Sequence, residues 1–294
     1  MPETLPVMLV DAFTQTPLQG NPCLVVLNAD ALGEDQMQAI AREANLSETA
    51  FVLRSTAADV RARYFTPAEE IPLAGHPTMA VSRALIDTGR LRPDRGAYRL
   101  ELQAGVIEVE IQPGEAGLRF VMAQKPPRFM RTYAPEQVAP VFGLSLDDLL
   151  PGVPIQTVST GTPQLMIPVR DLAAVQRVQM NHALYIALRA GGDFFSPHVF
   201  CLQGYTEAGR TFARHFGTPP DTQEDPFTGS ATGGMAAYLW RYGLIDSPRF
   251  IAEQGHGMRR PGQAFVEVVG SRETIETVKV GGYAVAVMRG EMVV

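Results

Sequence analysis

The sequence is poor in cysteine, in positive charge and in long apolar runs, and each shortage removes a class of protein. Two cysteines, Cys23 and Cys201, in 294 residues are too few for a disulfide framework, and no C-x-x-C pair or Cys/His cluster marks a zinc site. Both read as buried thiols in a reducing cytosol. Twenty-five Lys and Arg stand against 31 Asp and Glu, a net charge of -6. With no basic excess to neutralise phosphates, nucleic acid is not expected as a partner. No apolar stretch approaches the roughly 18 residues a membrane helix needs, and Met1 to Val10 lacks the basic and apolar regions of a signal peptide. A soluble, cytoplasmic chain with no membrane partner is therefore expected. The five histidines (His76, His182, His198, His215, His256) show no H-E-x-x-H or similar ligand spacing. Gly229 to Gly234 has no following lysine, so it is not a phosphate loop, and no G-x-G-x-x-G follows the first strand. Gly229-Ser230-Ala231-Thr232-Gly233 carries its serine one place too early for a nucleophile elbow. Neither a metal nor a nucleotide cofactor is expected.

What is present is a globular composition, 46% hydrophobic and 19% charged, in a length that suits one large domain or two ordinary ones. Leu5 to Phe13 reads as a short apolar strand, the Gly20-Asn21-Pro22 turn follows, and Cys23 to Leu27 reads as a second strand. Met37, Ile40, Ala41 and Ala44 fall at i, i+3, i+4 and i+7, which predicts a helix over about Glu34 to Ala44, with Asn45 as its left-handed cap. A strand is predicted from Glu48 to Leu53 and another from Val60 to Phe65.

Two later segments resemble each other. EEIPLAGHPTMAVSRALIDTG runs from Glu69 to Gly89, and QEDPFTGSATGGMAAYLWRYG from Gln223 to Gly243. Setting Gly75 on Gly229 places Glu70 on Glu224, Pro72 on Pro226, Thr78 on Thr232, Leu85 on Leu239 and Gly89 on Gly243. Upstream, RARYF (Arg61 to Phe65) resembles FARHF (Phe212 to Phe216). Each half then reads strand, Pro-containing loop, Gly turn, apolar helix, Gly stop and further strands, a duplicated α+β unit. The predicted halves are 1–124 and 125–294, with a linker near Gln124 to Arg128 and the last strand expected to pack back on the N-terminal half.

Each repeated helix begins at a glycine and is apolar round much of its circumference, so it should be buried. Its first turn leaves backbone N–H groups without intrahelical partners, and these attract anions. Glycine lets a ligand approach that backbone closely. Around these turns sit the candidates for chemistry. Glu48 opens a strand that should be half-buried, where desolvation raises a carboxyl pKa and suits it to proton transfer; an exposed turn residue is the plainer reading. His76 directly follows Gly75 and can relay a proton or make a helix-entry hydrogen bond. Asp225 and Ser230 flank the second helix start, where both can act as simple caps.

Taken together, VDAFTQTPLQGNP, NLSETAFV, AGHPTMA, EDPFTGSATGG and the late EQG (Glu253 to Gly255) with MRRPG resemble the signature blocks of PhzF-like phenazine-biosynthesis proteins, in family order and over nearly the whole chain. The resemblance implies a diaminopimelate-epimerase-like α+β fold of two pseudo-symmetric domains, each a curved sheet or barrel around a central helix, with the active site between them. It implies a cofactor-independent isomerase and, by analogy, a homodimer. Glu48 matches the family's general acid/base, and His76, Asp225 and Ser230 match its supporting residues. Gly75 and Gly229, with Pro77 and Ala231 beside them, match the cradle for a substrate carboxylate, and Asn21 matches a block near the site. Related epimerases carry a cysteine at each helix start; here those places hold glycines, which disfavours two-thiol racemisation. A small cyclic or unsaturated carboxylic acid is the expected substrate. The contrasting readings are a catalytically silent ligand-binding or interaction protein on the same fold, and an epimerase with a non-thiol pair of bases.

Overall fold

A computed structural model describes residues 4–217 and 223–294; the first three residues of the predicted N-terminal half, and 218–222 in the other, lie outside the described residues. The chain divides into two units. The first holds the chain up to Ala123 together with Gly281–Val294, and the second holds Gln124–Gly217 and Glu224–Val280.

In the first unit the order is β1 (Thr4–Ala12), β2 (Asn21–Val26), α1 (Glu34–Ala44), β3 (Glu48–Leu53), β4 (Val60–Phe65), β5 (Glu70–Ile71), α2 (Gly75–Asp87), β6 (Ala97–Leu102), β7 (Gly105–Gly114) and β8 (Gly117–Ala123). In the second it is β9 (Arg128–Tyr133), α3 (Pro135–Val138), β10 (Ile155–Ser159), β11 (Pro163–Pro168), α4 (Leu172–Arg177), α5 (His182–Ala190), β12 (Ser196–Cys201), β13 (Thr211–Phe216), β14 (Glu224–Asp225), α6 (Gly229–Arg241), β15 (Arg249–Gln254) and β16 (Gly262–Gly270). The last strand, β17 (Ile275–Val293), begins in the second unit and ends in the first.

Strand pairing closes the first unit into an eight-stranded barrel: β17 pairs with β1, then β2, β3, β4, β6, β7 and β8 follow, and β8 returns to β17. Closure leaves no exposed edge for another chain to pair with. The β2–β3 and β4–β6 pairings are parallel, which requires a crossover connection each time. Helix α1 provides the first and α2 the second. Helix α2 packs on β1, β2, β3 and β8, and its residues from His76 to Ser82 are all buried, as its apolar circumference requires. Helix α1 covers the other face, burying Met37, Ile40 and Ala41 against Leu5, Leu24, Phe51 and Phe65. An 11-residue helix is marginal alone, so this stripe holds it in place, at ~1.5–3 kcal/mol for each large side chain fully buried. Asn45 ends α1 at φ 48°, ψ 40°, the left-handed cap that its position predicts.

The second unit repeats the sequence of pairings. β10 and β11 are antiparallel, β12 joins β11 in parallel, β13 joins β12 antiparallel, β15 joins β13 in parallel and β16 joins β15 antiparallel. Helix α6 packs on β10, β11 and β16. A core of Val138, Phe142, Val175 and Tyr185 against Leu165, Ile167, Val199 and Phe212 joins α3, α4 and α5 to this sheet. The repeat reaches individual side chains. Arg63 donates from Nε and Nη2 to Glu70 at 2.7 and 2.6 Å, and Arg214 does the same to Glu224 at 2.8 and 2.8 Å. Each bidentate pair, stronger than neutral hydrogen bonds, fastens the two-residue strand that leads into a glycine helix start.

Candidate active site

In the first unit, strand register gathers the polar residues at one end of the barrel. β2 and β3 run in parallel with Cys23 beside Glu48, so the two strands begin at the same end, and Asn21 is the first residue of β2. The loop from Phe13 to Gly20 returns β1 to β2. Gly20 holds φ +61°, and a Cβ there would lie 2.2 Å from the Ala12 carbonyl oxygen, so no other residue fits. The buried Asp11 carboxylate accepts the Leu18 N–H at 2.7 Å, pinning the loop across its width.

Helix α2 enters at this end. Ala74 is extended, at φ −145° and ψ 148°, and the helix starts at Gly75. His76 Nδ1 then lies 3.2 Å from Asn21 Nδ2 and 3.3 Å from Glu48 Oε2. Asn21 and His76 are buried, while the Glu48 side chain keeps 18% of its surface exposed, so the carboxyl is the member of the group that faces outward. Burial pushes the His76 pKa down to about 3, against the Pro22 backbone carbonyl, which favours the charged ring. The imidazole is therefore neutral at physiological pH, and its 3.3 Å approach to Glu48 is a polar contact rather than an ion pair. A proton on Nδ1 would face the Glu48 carboxylate at this distance, in place of the Asn21 bond. Without it, Nδ1 accepts from a protonated Glu48 or from the Asn21 amide. His76 can thus partner Glu48 in both protonation states. Burial, reinforced by the charge of Glu48, raises the Cys23 thiol well above its usual range, so Cys23 stays a thiol beside the carboxyl.

In the second unit, Asp225 closes β14 opposite His215 of β13. The chain then passes through Pro226 and Phe227 to Thr228, the N-cap of α6, whose own side chain makes no capping hydrogen bond. Asp225 Oδ2 receives the Thr228 hydroxyl. Gly229 and Ala231 are buried and Ser230 partly so, within the first turn of α6. Gln124 braces that turn: its Nε2 donates to the Gly229 carbonyl at 2.9 Å and its Oε1 accepts from Thr160 Oγ1. A Cβ on Gly233 would meet Gln124 Oε1 at 1.9 Å, so glycine in mid-helix is what admits the amide.

Within the first unit the structure brings Asn21, Glu48, Gly75 and His76 together, with Pro77 buried in the same helical turn. Within the second it brings Asp225 to the start of α6 with Gly229, Ser230 and Ala231 following. Sequence reasoning misses Thr228, Gln124 and Gln254, which hold these groups. The EQG block is the one signal that pointed near Gln254. Among the described residues, no group of three or more His, Cys, Asp or Glu is arranged to hold a metal ion, and no helix is long and apolar enough to cross a membrane. A cavity of about 500 Å³ lies against Asn28, Val52, Arg54, Leu85, Arg90 and Leu91, at the far ends of β3 and α2 from Glu48 and His76, and contains none of the candidates.

Sequence and fold place the chain among known proteins. Residues 10–290 match the model of the phenazine biosynthesis-like (PhzC-PhzF) family, and the chain belongs to that family. A PhzF-family phenazine biosynthesis protein from Bacillus anthracis has the same fold at TM-score 0.91 and 35% identity, over 99% of this chain and 100% of that one. The trans-2,3-dihydro-3-hydroxyanthranilate isomerase of Pseudomonas chlororaphis is 32% identical over 290 residues, 97% of this chain and 98% of that protein. The fold extends to a hydroxyproline epimerase from Agrobacterium vitis, at TM-score 0.67 and 13% identity over 100% of this chain and 94% of that one. The chain is an enzyme of the isomerase class on this α+β fold.

Proposed function

We propose that this isomerase moves a proton within a small cyclic or unsaturated carboxylic acid, without a cofactor, using Glu48 as the acid/base. The observation that carries the proposal is the 3.3 Å contact between the outward Glu48 carboxyl and the buried His76, whose neutral ring can stabilise either protonation state of Glu48. In this reading Glu48 takes a proton from one carbon and returns it to another, and the substrate's conjugated system spreads the intervening negative charge. Asp225 and Ser230 are proposed, on the resemblance, to support the transfer. Backbone N–H groups at the Gly75 and Gly229 helix starts, flanked by Pro77 and Ala231, are proposed to hold the substrate carboxylate, with Asn21 keeping His76 in place. Similarity to the Pseudomonas enzyme makes trans-2,3-dihydro-3-hydroxyanthranilate the first substrate to test. A cytoplasmic homodimer belongs to the same proposal.

The test follows double-bond position and solvent deuterium uptake by NMR, for the wild type and Glu48→Gln. General acid/base catalysis is worth about 10²- to 10⁴-fold, so the variant should lose at least 10²-fold. A Glu48→Gln enzyme with near-wild-type turnover would refute the assignment. Tight binding of the acid with no label uptake by the wild type would instead favour a silent binding protein. Inversion at a stereocentre without double-bond movement would favour an epimerase.

A further inference from the structure

We infer that Gln254 is a positioning residue for the Asp225 carboxylate and acts on it through Thr228. The inference rests on the proposed supporting role of Asp225. Gln254 closes β15 and is 1% exposed. Its register opposite Ala213 of β13 places it beside the segment that carries β14 into α6. The carboxamide spans that segment. Oε1 accepts the Thr228 N–H at 3.2 Å, and Nε2 donates to the Asp225 carbonyl at 2.7 Å. Nε2 also lies 3.4 Å from Thr228 Oγ1.

These contacts settle the direction of the Thr228 hydroxyl. A carboxylate oxygen only accepts and an amide nitrogen only donates. Thr228 Oγ1 therefore offers a lone pair to Gln254 and its single proton to Asp225 Oδ2. One Asp225 oxygen is engaged and the carboxylate is fixed in rotation. Gly255 makes the approach close enough. It sits at φ +87°, and a Cβ there would meet the Pro226 carbonyl at 2.6 Å. The three residues of the EQG block thus have three tasks. Glu253 ties down the turn at Tyr205 and Thr206, Gln254 orients Asp225, and Gly255 admits the Asp225–Thr228 segment.

Gln254→Glu tests the inference with almost no change of shape. An ionised carboxylate keeps the acceptor for Thr228 N–H but loses both donors, and it faces the Asp225 carbonyl with a lone pair. A protonated carboxyl regains one donor. Burial raises the pKa of such a carboxyl, which brings its titration into a usable range. With trans-2,3-dihydro-3-hydroxyanthranilate as probe, kcat of Gln254→Glu should fall at least 10-fold below wild type at pH 8. It should recover towards wild type by pH 5.5, while KM changes less than 3-fold. Gln254→Met should stay low throughout. A wild-type pH profile for Gln254→Glu, or a loss that acid does not restore in folded protein, overturns the inference. Amide hydrogen exchange of the peptide containing Thr228 gives a second reading without turnover: Gln254→Met should speed it at least 10-fold, and unchanged protection also overturns the clamp. If the wild type fails to turn over the probe while this exchange result holds, the proposed function fails and the clamp stands.

Discussion

Lowering the pH from 7.5 to 5.0 should weaken the second unit by a calculable amount, because it contains a buried pair of histidines. His198 and His215 lie with their Nδ1 atoms 3.3 Å apart, and His215 Nε2 is 2.8 Å from Ser196 Oγ, which in turn donates to Gln164 at 2.6 Å. Burial pushes His215 down from 6.5 to about 3. Burial, with the neighbouring His215 adding to it, sends His198 the same way. The unfolded chain takes up its proton near 6.5 and the folded chain not until about 3. Between those values the unfolded state holds more protons, so stability is complete above 6.5 and falls as the pH drops. At pH 5.0 the distance from 6.5 gives roughly 2 kcal/mol for His215 alone, and His198 adds to the loss. At about 2–4 °C per kcal/mol for domains of 150–250 residues, His215 accounts for about 4–8 °C of melting temperature. The only tryptophan, Trp240, lies in α6, so its fluorescence reports this unit. Exposed carboxylates titrate mostly below pH 5, and comparing slopes removes their remaining effect. His215→Gln keeps an amide for Ser196 and should lose about 4–8 °C less than wild type over the same pH interval. Equal losses in the two proteins would show that His215 is not held neutral by burial, and would refute the argument.

Other consequences are narrower. Gly233→Ala should destabilise by about 2–4 kcal/mol, because the new Cβ strikes Gln124 Oε1 and breaks the bonds to Gly229 and Thr160; in a Gln124→Ala background the same change should be neutral or stabilising by up to ~1 kcal/mol, as alanine is the better helix former, and thermal melts of the four proteins decide it. Glu253→Gln should cost roughly 3 kcal/mol, since the buried carboxylate accepts from Tyr205 N, Thr206 N, Thr206 Oγ1 and Gln263 Nε2 at 2.6 to 2.9 Å and an amide nitrogen cannot replace an acceptor there; urea unfolding of the variant would measure it.

Local order was legible where one residue type has one physical use. The apolar stripe of Met37, Ile40 and Ala41 gave α1, Asn45 gave its cap, and Gly75 and Gly229 are where α2 and α6 begin. Glu48 does open a strand. What escaped is carried by side-chain amides, whose partners are distant in sequence. Gln254 reaches Asp225 across 29 positions and Gln124 reaches Gly229 across 105. Glutamine has no periodicity or spacing that announces such a bond. The length of β17 escaped for a related reason. Gly281 and Gly282 lie inside the strand, at places where a Cβ would meet Val121 Cγ2 at 2.6 Å and Phe13 Cδ1 at 2.7 Å, and no pattern in the sequence announces those neighbours.

The duplication also bears on why one acid/base group is proposed rather than two. In each unit a strand joins its predecessor in parallel, and its first residue pairs with an early residue of that predecessor: Glu48 with Cys23 in one, Ser196 with Gln164 in the other. In each, a glycine starts the following helix, and the next residue is His76 or Ser230. The scaffold has been kept, down to the Arg63–Glu70 and Arg214–Glu224 clamps. The titratable pair has not. Where the first unit offers a carboxyl and an imidazole, the matching positions of the second hold two hydroxyls, which exchange no proton near neutral pH unless a base is placed beside them, and the Asp225 carboxylate nearby is bonded to the Thr228 hydroxyl. Ser196 does have His215 beside it, but both are buried and the ring is committed to the His198 and Gln164 network. Nor do the thiols supply a second base, since burial raises both Cys23 and Cys201. Two-base inversion needs two groups that gain and lose protons at working pH. Of the residues at the matched positions Glu48 alone is a carboxyl, which is why a single group is proposed both to remove the proton and to return it.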